Sequence, residues 1–253
     1  MPKHTPTGSS GLTRFTRRST MRLAAAGAAA AFAFRSNAQE TIMETKAFVY
    51  TETQLTTSVF DDIPWQKFNE SIRAQPGFIN KTWLYGAGTG SGGGVYAFDS
   101  IANAQAFVTG YFPSEAASLG IAHNTRVFDA EPVRAASVDM GSPHFGVAPV
   151  AQPGAFVYTE VQISVPFDQA PWRDRNPVLK QQKGLLSKLW LSGLHTHTIG
   201  GLDAFDTIEN AKAFAIEDFP KTAAQINAAF YTRVFDATAS EAGSLAMDSP
   251  YYA

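Results

Sequence analysis

The hexapeptide A-F-V-Y-T-E stands at Ala47–Glu52 and again at Ala155–Glu160. Each copy opens a block that closes on T-R-V-F-D-A, at Thr125–Ala130 and Thr232–Ala237. Between these ends the punctuation also matches: Pro64-Trp65 with Pro171-Trp172, Trp83 with Trp190, Phe112-Pro113 with Phe219-Pro220. The offset is 172 − 65 = 107 residues at the tryptophans and 233 − 126 = 107 at the arginines, with one gap near Thr57. So long a period means two copies of a domain, because solenoid repeats are shorter.

Read in order, one copy alternates strand and helix signals. Lys46–Thr53 alternates like a strand with both faces partly covered. Asp61, Asp62 and Pro64 form a helix start, and Trp65, Phe68 and Ile72 follow at helical spacing until Pro76-Gly77. Phe78–Tyr85 and Val95–Phe98 read as a hairpin across the glycine-rich Gly86–Gly94. A helix is predicted over Ile101–Tyr111, capped by Asp99 or Ser100 and ended by Phe112-Pro113. A short helical stretch near Ser114–Leu119 then leads to a strand at Ala122–Phe128.

That order, β-α-β-β-α-β, is the ferredoxin-like unit, and the second copy repeats it. The fold class is therefore α+β. A four-stranded sheet with helices on one face leaves the other face apolar and uncovered, and two such sheets closing on each other remedy both. The expectation is two ferredoxin-like (βαββαβ) repeats packed sheet to sheet as an intramolecular α+β barrel. The domains read as 1–38, a leader; 39–130, repeat 1; 131–154, a Pro/Gly-rich linker; and 155–253, repeat 2.

Composition bounds the partners. The 253-residue chain is 45 % apolar and 17 % charged, with a formal net charge of −2. Six bases and no acid fall in residues 1–38, so the body has 20 − 6 = 14 bases against 22 acids. An acidic body argues against nucleic acid, whose phosphates need a basic face. Without cysteine there is no disulfide and no thiol nucleophile. In the leader, Arg17-Arg18 precedes the apolar run Leu23–Phe34 and Ser36-Asn37-Ala38, the pattern of a twin-arginine-like signal peptide. Cleavage after Ala38 starts the mature chain at Gln39 and places it in the periplasm or outside the cell. The run is too short for a stable membrane anchor.

The runs P-G-F-I-N-K-T-W (Pro76–Trp83), G-G-V-Y-A-F (Gly93–Phe98) and V-F-D-A (Val127–Ala130) resemble the small bacterial YdhR-type monooxygenase family. The second copy keeps K-G-L-L-S-K-L-W (Lys183–Trp190), G-G-L-D-A-F (Gly200–Phe205) and V-F-D-A (Val234–Ala237). The resemblance implies the dimeric α+β barrel fold, here fused into one chain as an intramolecular pseudo-dimer. It also implies an oxidoreductase, a monooxygenase that needs no cofactor, acting on an aromatic or quinol-like compound. It places a pocket between each sheet and its own helices. A non-catalytic periplasmic module that binds a small hydrophobic ligand is the alternative.

Polar residues shared by the copies, with Tyr85 and Asp203 where the copies differ, are the candidate site. Tyr50, Arg126, Tyr158, Asp203 and Arg233 are the candidate catalytic residues. Lys81, Trp83, Tyr85, Lys188 and Trp190 are the candidate substrate contacts. An indole stacks on an aromatic substrate, and cations stabilise a developing phenolate or enolate. The structural reading is that the aromatics are core and that Glu52–Arg126 and Glu160–Arg233 are ion pairs. Asp203 stands in mid-strand where the first copy has Tyr96, a place for a base with a raised pKa. Ser192 replaces Tyr85. His195 and His197 have strand spacing, yet no third ligand is near, so no metal is assigned. No phosphate loop and no nucleophile elbow is present.

Overall fold

The computed structural model describes residues 44–252 apart from Thr56, Ser58 and Ser164. The leader and its cleavage site lie outside the described residues.

Repeat 1 contains β1 (Ala47–Thr53), α1 (Trp65–Arg73), β2 (Phe78–Tyr85) and β3 (Gly92–Phe98). It continues with a long helix, α2, and β4 (His123–Asp129). Helix α2 joins Ile101–Ala106, a π turn at Phe107–Tyr111 and Phe112–Ser118. After a short helix α3 (Arg134–Asp139) come β5 (Ala155–Gln162), α4 (Trp172–Leu179), β6 (Leu185–Gly193) and β7 (Thr198–Phe205). The helix α5 (Ile208–Ala213, the π turn Phe214–Asp218, Phe219–Gln225), β8 (Phe230–Asp236) and α6 (Glu241–Leu245) complete the chain.

Helix starts follow local chemistry. Ser100 Oγ accepts from Asn103 N–H at the head of α2, and Thr207 Oγ1 accepts from Asn210 N–H at the head of α5. Proline does not end α2 as the sequence led us to expect. Phe112 N–H instead bonds the carbonyl of Phe107, five residues back, and the helix runs through Pro113. The wider π turn spares the ring the clash that an α-helical interior would impose. The second copy does the same before Pro220.

The strands form one eight-stranded antiparallel sheet in the order β2-β3-β1-β4-β6-β7-β5-β8. β4 joins β6 through Phe128–Gly193 and Asp129–Ser192, and the bridge Gly86–Phe235 joins the end of β2 to β8. Leu194 N–H to Val127 O (2.9 Å) and Ala87 N–H to Val234 O (3.0 Å) repeat at the two seams. The sheet is thereby closed, and the fused double ferredoxin-like barrel is the fold.

Three apolar clusters follow from strand alternation. Phe48, Tyr50, Val95 and Phe128 meet Phe156, Tyr158, Leu202 and Phe235 between the sheets. Val49, Trp83, Tyr96 and Phe107 pack under the repeat-1 helices, and Val157, Trp190, Phe205 and Phe214 under those of repeat 2. Both faces of β1 and of the start of β5 are covered, which is why A-F-V-Y is apolar at every position.

Residues 131–154, which read as a linker, carry a docking arm. Ser137 Oγ on α3 accepts from Trp190 N–H (3.0 Å), and Lys188 N–H donates to Met140 O (3.1 Å). The C-terminal arm mirrors this on the first repeat: Ser244 Oγ accepts from Trp83 N–H (2.9 Å) and Met247 O from Lys81 N–H (3.1 Å). Each arm thus satisfies the outer N–H groups of a strand that belongs to the other repeat, closing an edge that would otherwise invite pairing. Met247 is fully buried, whereas Leu245 on the same arm is 48 % exposed. Met247→Ala is expected to cost about 2–5 kcal/mol in denaturant unfolding. Leu245→Ala is expected to change stability by no more than about 0.5 kcal/mol. Equal losses for the two would contradict the arm's role.

Candidate functional site

The candidate residues divide between two faces of the sheet. Tyr50 lies in register with Arg126, and Tyr158 with Arg233. Lys81 lies in register with Tyr96, and Lys188 with Asp203. Residues in register share a face. Tyr50, Tyr158, Arg126 and Arg233 face the space between the sheets, while Lys81, Trp83, Tyr85, Lys188, Trp190 and Asp203 face the helices. A tryptophan, lysine, tyrosine and arginine around one substrate, as the sequence suggested, therefore does not form.

Between the sheets the two tyrosine rings stack, with centroids 3.9 Å apart and planes 9° from parallel. Each hydroxyl donates to the carboxylate two residues on, Tyr50 to Glu52 (3.1 Å) and Tyr158 to Glu160 (2.5 Å). The ion pairs cross between repeats, contrary to the expected Glu52–Arg126 and Glu160–Arg233. Arg233 Nε reaches Glu52 Oε1 at 3.2 Å, and Arg126 Nε lies 3.6 Å from Glu160 Oε1. Tyr231 adds a hydroxyl to Glu52 at 2.6 Å. Burial first, and then the neighbouring carboxylates, pushes both Tyr50 and Tyr158 far up. They stay protonated donors and cannot act as phenolate bases. This group ties the repeats together, beside a cavity of only about 190 Å³.

The helix face of repeat 2 holds a cavity of about 780 Å³. Trp172, Leu179, Trp190, Phe214 and Phe219 form apolar walls, and Arg175, Lys188 and exposed His197 are also in the lining. Lys188 Nζ contacts both oxygens of Asp203, at 2.8 and 3.1 Å, and lies 4.5 Å from the Trp190 ring centroid. Asp203 is fully buried behind it. Burial raises the Asp203 carboxyl above the usual carboxylate range, and the Lys188 ammonium opposes that rise. Glycine makes room for the lysine: a Cβ at Gly201 would collide with Lys188 Nζ. Arg175 donates to Thr222 Oγ1 (2.5 Å), and among the described residues no carboxylate lies within ion-pair reach of it.

The corresponding space in repeat 1 is about 240 Å³. Here Tyr96 replaces Asp203, and its ring occupies the wall. Lys81 is 1 % exposed and, among the described residues, its amine makes no hydrogen bond or ion pair. It rests against two rings, with Nζ 2.7 Å from the Trp83 centroid and 4.7 Å from that of Tyr96. Such contacts stabilise a desolvated ammonium by about 2 kcal/mol. Taking the ion out of water costs several kcal/mol. Burial therefore wins and holds the Lys81 amine well below the ordinary lysine range, against the weaker pull of Glu115.

Tyr85 does not reach either cavity; its hydroxyl donates to Thr57 O (3.2 Å) within the core. His195 and His197 both adopt left-handed backbone (φ 59° and 52°), so they sit in a turn and not on one side of a strand. Among the described residues no group of three or more His, Asp or Glu is placed to hold a metal. No described helix is long and apolar enough to cross a membrane.

Sequence reasoning missed Arg175 and the paired asparagines. Asn69 Oδ1 accepts from Trp83 Nε1 and Asn176 Oδ1 from Trp190 Nε1, both at 2.9 Å, which fixes each indole. The signal for Arg175 was available at the repeat offset, since it stands where the first copy has Phe68.

Residues 52–136 match the family described as "Putative mono-oxygenase ydhR". The match falls on the first repeat, whose motifs resemble that family, and the second repeat is an internal copy of the first. No curated protein matches the chain. Among solved structures the chain is similar to a "putative monooxygenase" from Lactobacillus acidophilus, at 10 % identity and TM-score 0.43, over 76 % of this chain and 93 % of that one. An "anthrone oxidase-like protein" matches at 12 % identity and TM-score 0.46, over 76 % and 91 % of the two chains. A "monooxygenase-like protein" from Listeria innocua matches at 9 % identity and TM-score 0.40, over 77 % and 96 %.

Glu52 is 1 % exposed and accepts from three donors across both repeats. Glu52→Gln is expected to lower stability by about 2–3 kcal/mol, as hydrogen bonds to a buried charge become neutral ones. Glu160→Gln, at the more open and longer pair, is expected to cost less. Denaturant unfolding reads both, and the reverse ranking would refute this account of the seam.

Proposed function

We propose that the chain is a cofactor-independent monooxygenase whose working site is the repeat-2 cavity, acting on an aromatic or quinol-like compound with an ionisable hydroxyl. The observation that carries this reading is the cavity's composition: aromatic walls with two cations, Arg175 and Lys188, and a buried carboxylate behind one of them. A cavity of that size holds a multi-ring ligand. Arg175, which has no carboxylate partner among the described residues, matches a phenolate or enolate oxygen of the substrate.

Lys188 and Asp203 serve as the acid–base couple. Lys188 presents the pair to the cavity, and Asp203 draws the proton through it as the substrate's activated C–H bond ionises. The carbanion then reduces dioxygen directly. A methylene becomes a carbonyl, R₂CH₂ + O₂ → R₂C=O + H₂O, so the substrate supplies all the electrons. The protein's share is deprotonation, charge stabilisation and exclusion of water. We further propose that the leader exports the chain, with Gln39 as the mature N-terminus; terminal sequencing of the secreted protein checks this directly.

Oxygen uptake with a panel of quinols and hydroxylated polycyclic compounds tests the reaction. Uptake is expected, and Asp203→Asn is expected to slow it by about 10²–10⁴ while the ligand still binds. Arg175→Leu should raise KM. Asp203 acts as its carboxylate, so kcat/KM should fall as pH drops through an ionisation above the usual carboxylate range. Ligand binding without uptake, unchanged in Asp203→Asn, would leave a binding module instead.

A further inference from the structure

We propose that the repeat-1 cavity is a second, chemically different site that captures a small apolar aldehyde as an imine on Lys81. This goes beyond the repeat-2 oxygenase reading and does not depend on it. The copies place the same lysine on the same strand position and then treat it in opposite ways. Lys188 is locked to Asp203 by two short contacts. Lys81 has Tyr96 in that place, and the Tyr96 hydroxyl is turned to Thr51 Oγ1, 3.3 Å away. Lys188 is paired with a carboxylate, and among the described residues Lys81 has no counter-charge in contact with it.

The surroundings of Lys81 are those of a nucleophile. Lys81 lines a cavity together with Ile63, Phe68, Ile72, Trp83 and Phe112, and the carboxylates in the lining, Asp62 and Glu115, make no ion pair with it among the described residues. Desolvation in an apolar pocket is how lysines are activated toward carbonyl carbon. Burial lowers the amine's affinity for protons, and an unprotonated nitrogen retains its lone pair for attack. The cavity is also the right size. A dry apolar cavity of about 150 Å³ holds benzene, and this one, at about 240 Å³, accepts a single ring with one added carbonyl.

The step balances without a further reactant. The nitrogen lone pair adds to the carbonyl carbon, both amine protons leave with the carbonyl oxygen as water, and a C=N bond joins ligand to Lys81. Nothing is oxidised or reduced. The fold of the cavity fits this role because Gly94 leaves the lysine stem its path: a Cβ there would come within 2.7 Å of Lys81 Cε.

The test is reductive trapping on the full chain. Benzaldehyde and cyanoborohydride are added at pH 7, the chain is digested, and each lysine's benzyl adduct is quantified by mass spectrometry. Lys81 is expected to label at least tenfold faster than the exposed Lys67 and Lys221, and Lys188 to remain unlabelled. The preference should vanish in urea. Labelling of Lys81 no faster than Lys67 in the native chain overturns the proposal, and that comparison needs no variant. Tyr96→Asp, which rebuilds the second copy's ion pair, is expected to suppress Lys81 labelling at least tenfold with an unchanged circular dichroism spectrum. A folded Tyr96→Asp chain that labels as before also overturns it.

Discussion

A four-stranded ferredoxin-like sheet with helices on one side presents a second apolar face, and that face must be covered. In this chain the cover is the other repeat. Phe48, Tyr50 and Phe128 meet Phe156, Tyr158 and Phe235 across the barrel. The polar ends of the two tyrosines find Glu52 and Glu160 within hydrogen-bond reach. Because those carboxylates then take arginines from the opposite repeat, charge and apolar burial act on the same boundary. The arms add backbone bonds to the outer strand edges. The two repeats therefore form one body in which neither is complete alone.

That division of labour frees the helix faces. With cohesion assigned to the inter-sheet side and to the backbone of β2 and β6, the side chains around the shared Lys-Trp pairs are free to differ, and the copies have diverged there. Tyr96 against Asp203, Phe68 against Arg175 and Glu115 against Thr222 change both volume and charge. The first cavity is small and apolar, around a lysine with no ion pair among the described residues. The second is large, aromatic and cationic, with a buried lysine–carboxylate pair at its floor.

The fold was legible because both copies spell the same strands and helices with the same stops. The barrel followed from one physical demand, the covering of the spare face. The site was legible only in part. Spacing of two along a strand put Lys81 with Trp83 and Lys188 with Trp190 on a shared face; that this face looks to the helices, and that Asp203 joins it, is decided by the pairing of strands. Tyr50 and Arg126 were grouped with them because the relative register of strands, which decides the shared face, is not written in any one strand. Arg175 was passed over because a lone arginine on a helix reads as solvated surface. Residues 131–154 read as linker by their glycines and prolines, although Ser137, Met140, Ser142 and Pro143 recur as Ser244, Met247, Ser249 and Pro250. Helix α2 passes Pro113 because a π turn absorbs the ring, a solution that a proline rule does not foresee.

The two cavities of one barrel have become unlike, the second large and aromatic with Arg175 and Lys188 in its lining. The most direct measurement is calorimetric titration of the full chain with a two-ring phenol. One site per chain is expected, retained in Phe68→Ala and weakened at least tenfold in Arg175→Phe, which restores the first copy's residue. Two equal sites, or a single site indifferent to Arg175→Phe, would contradict it.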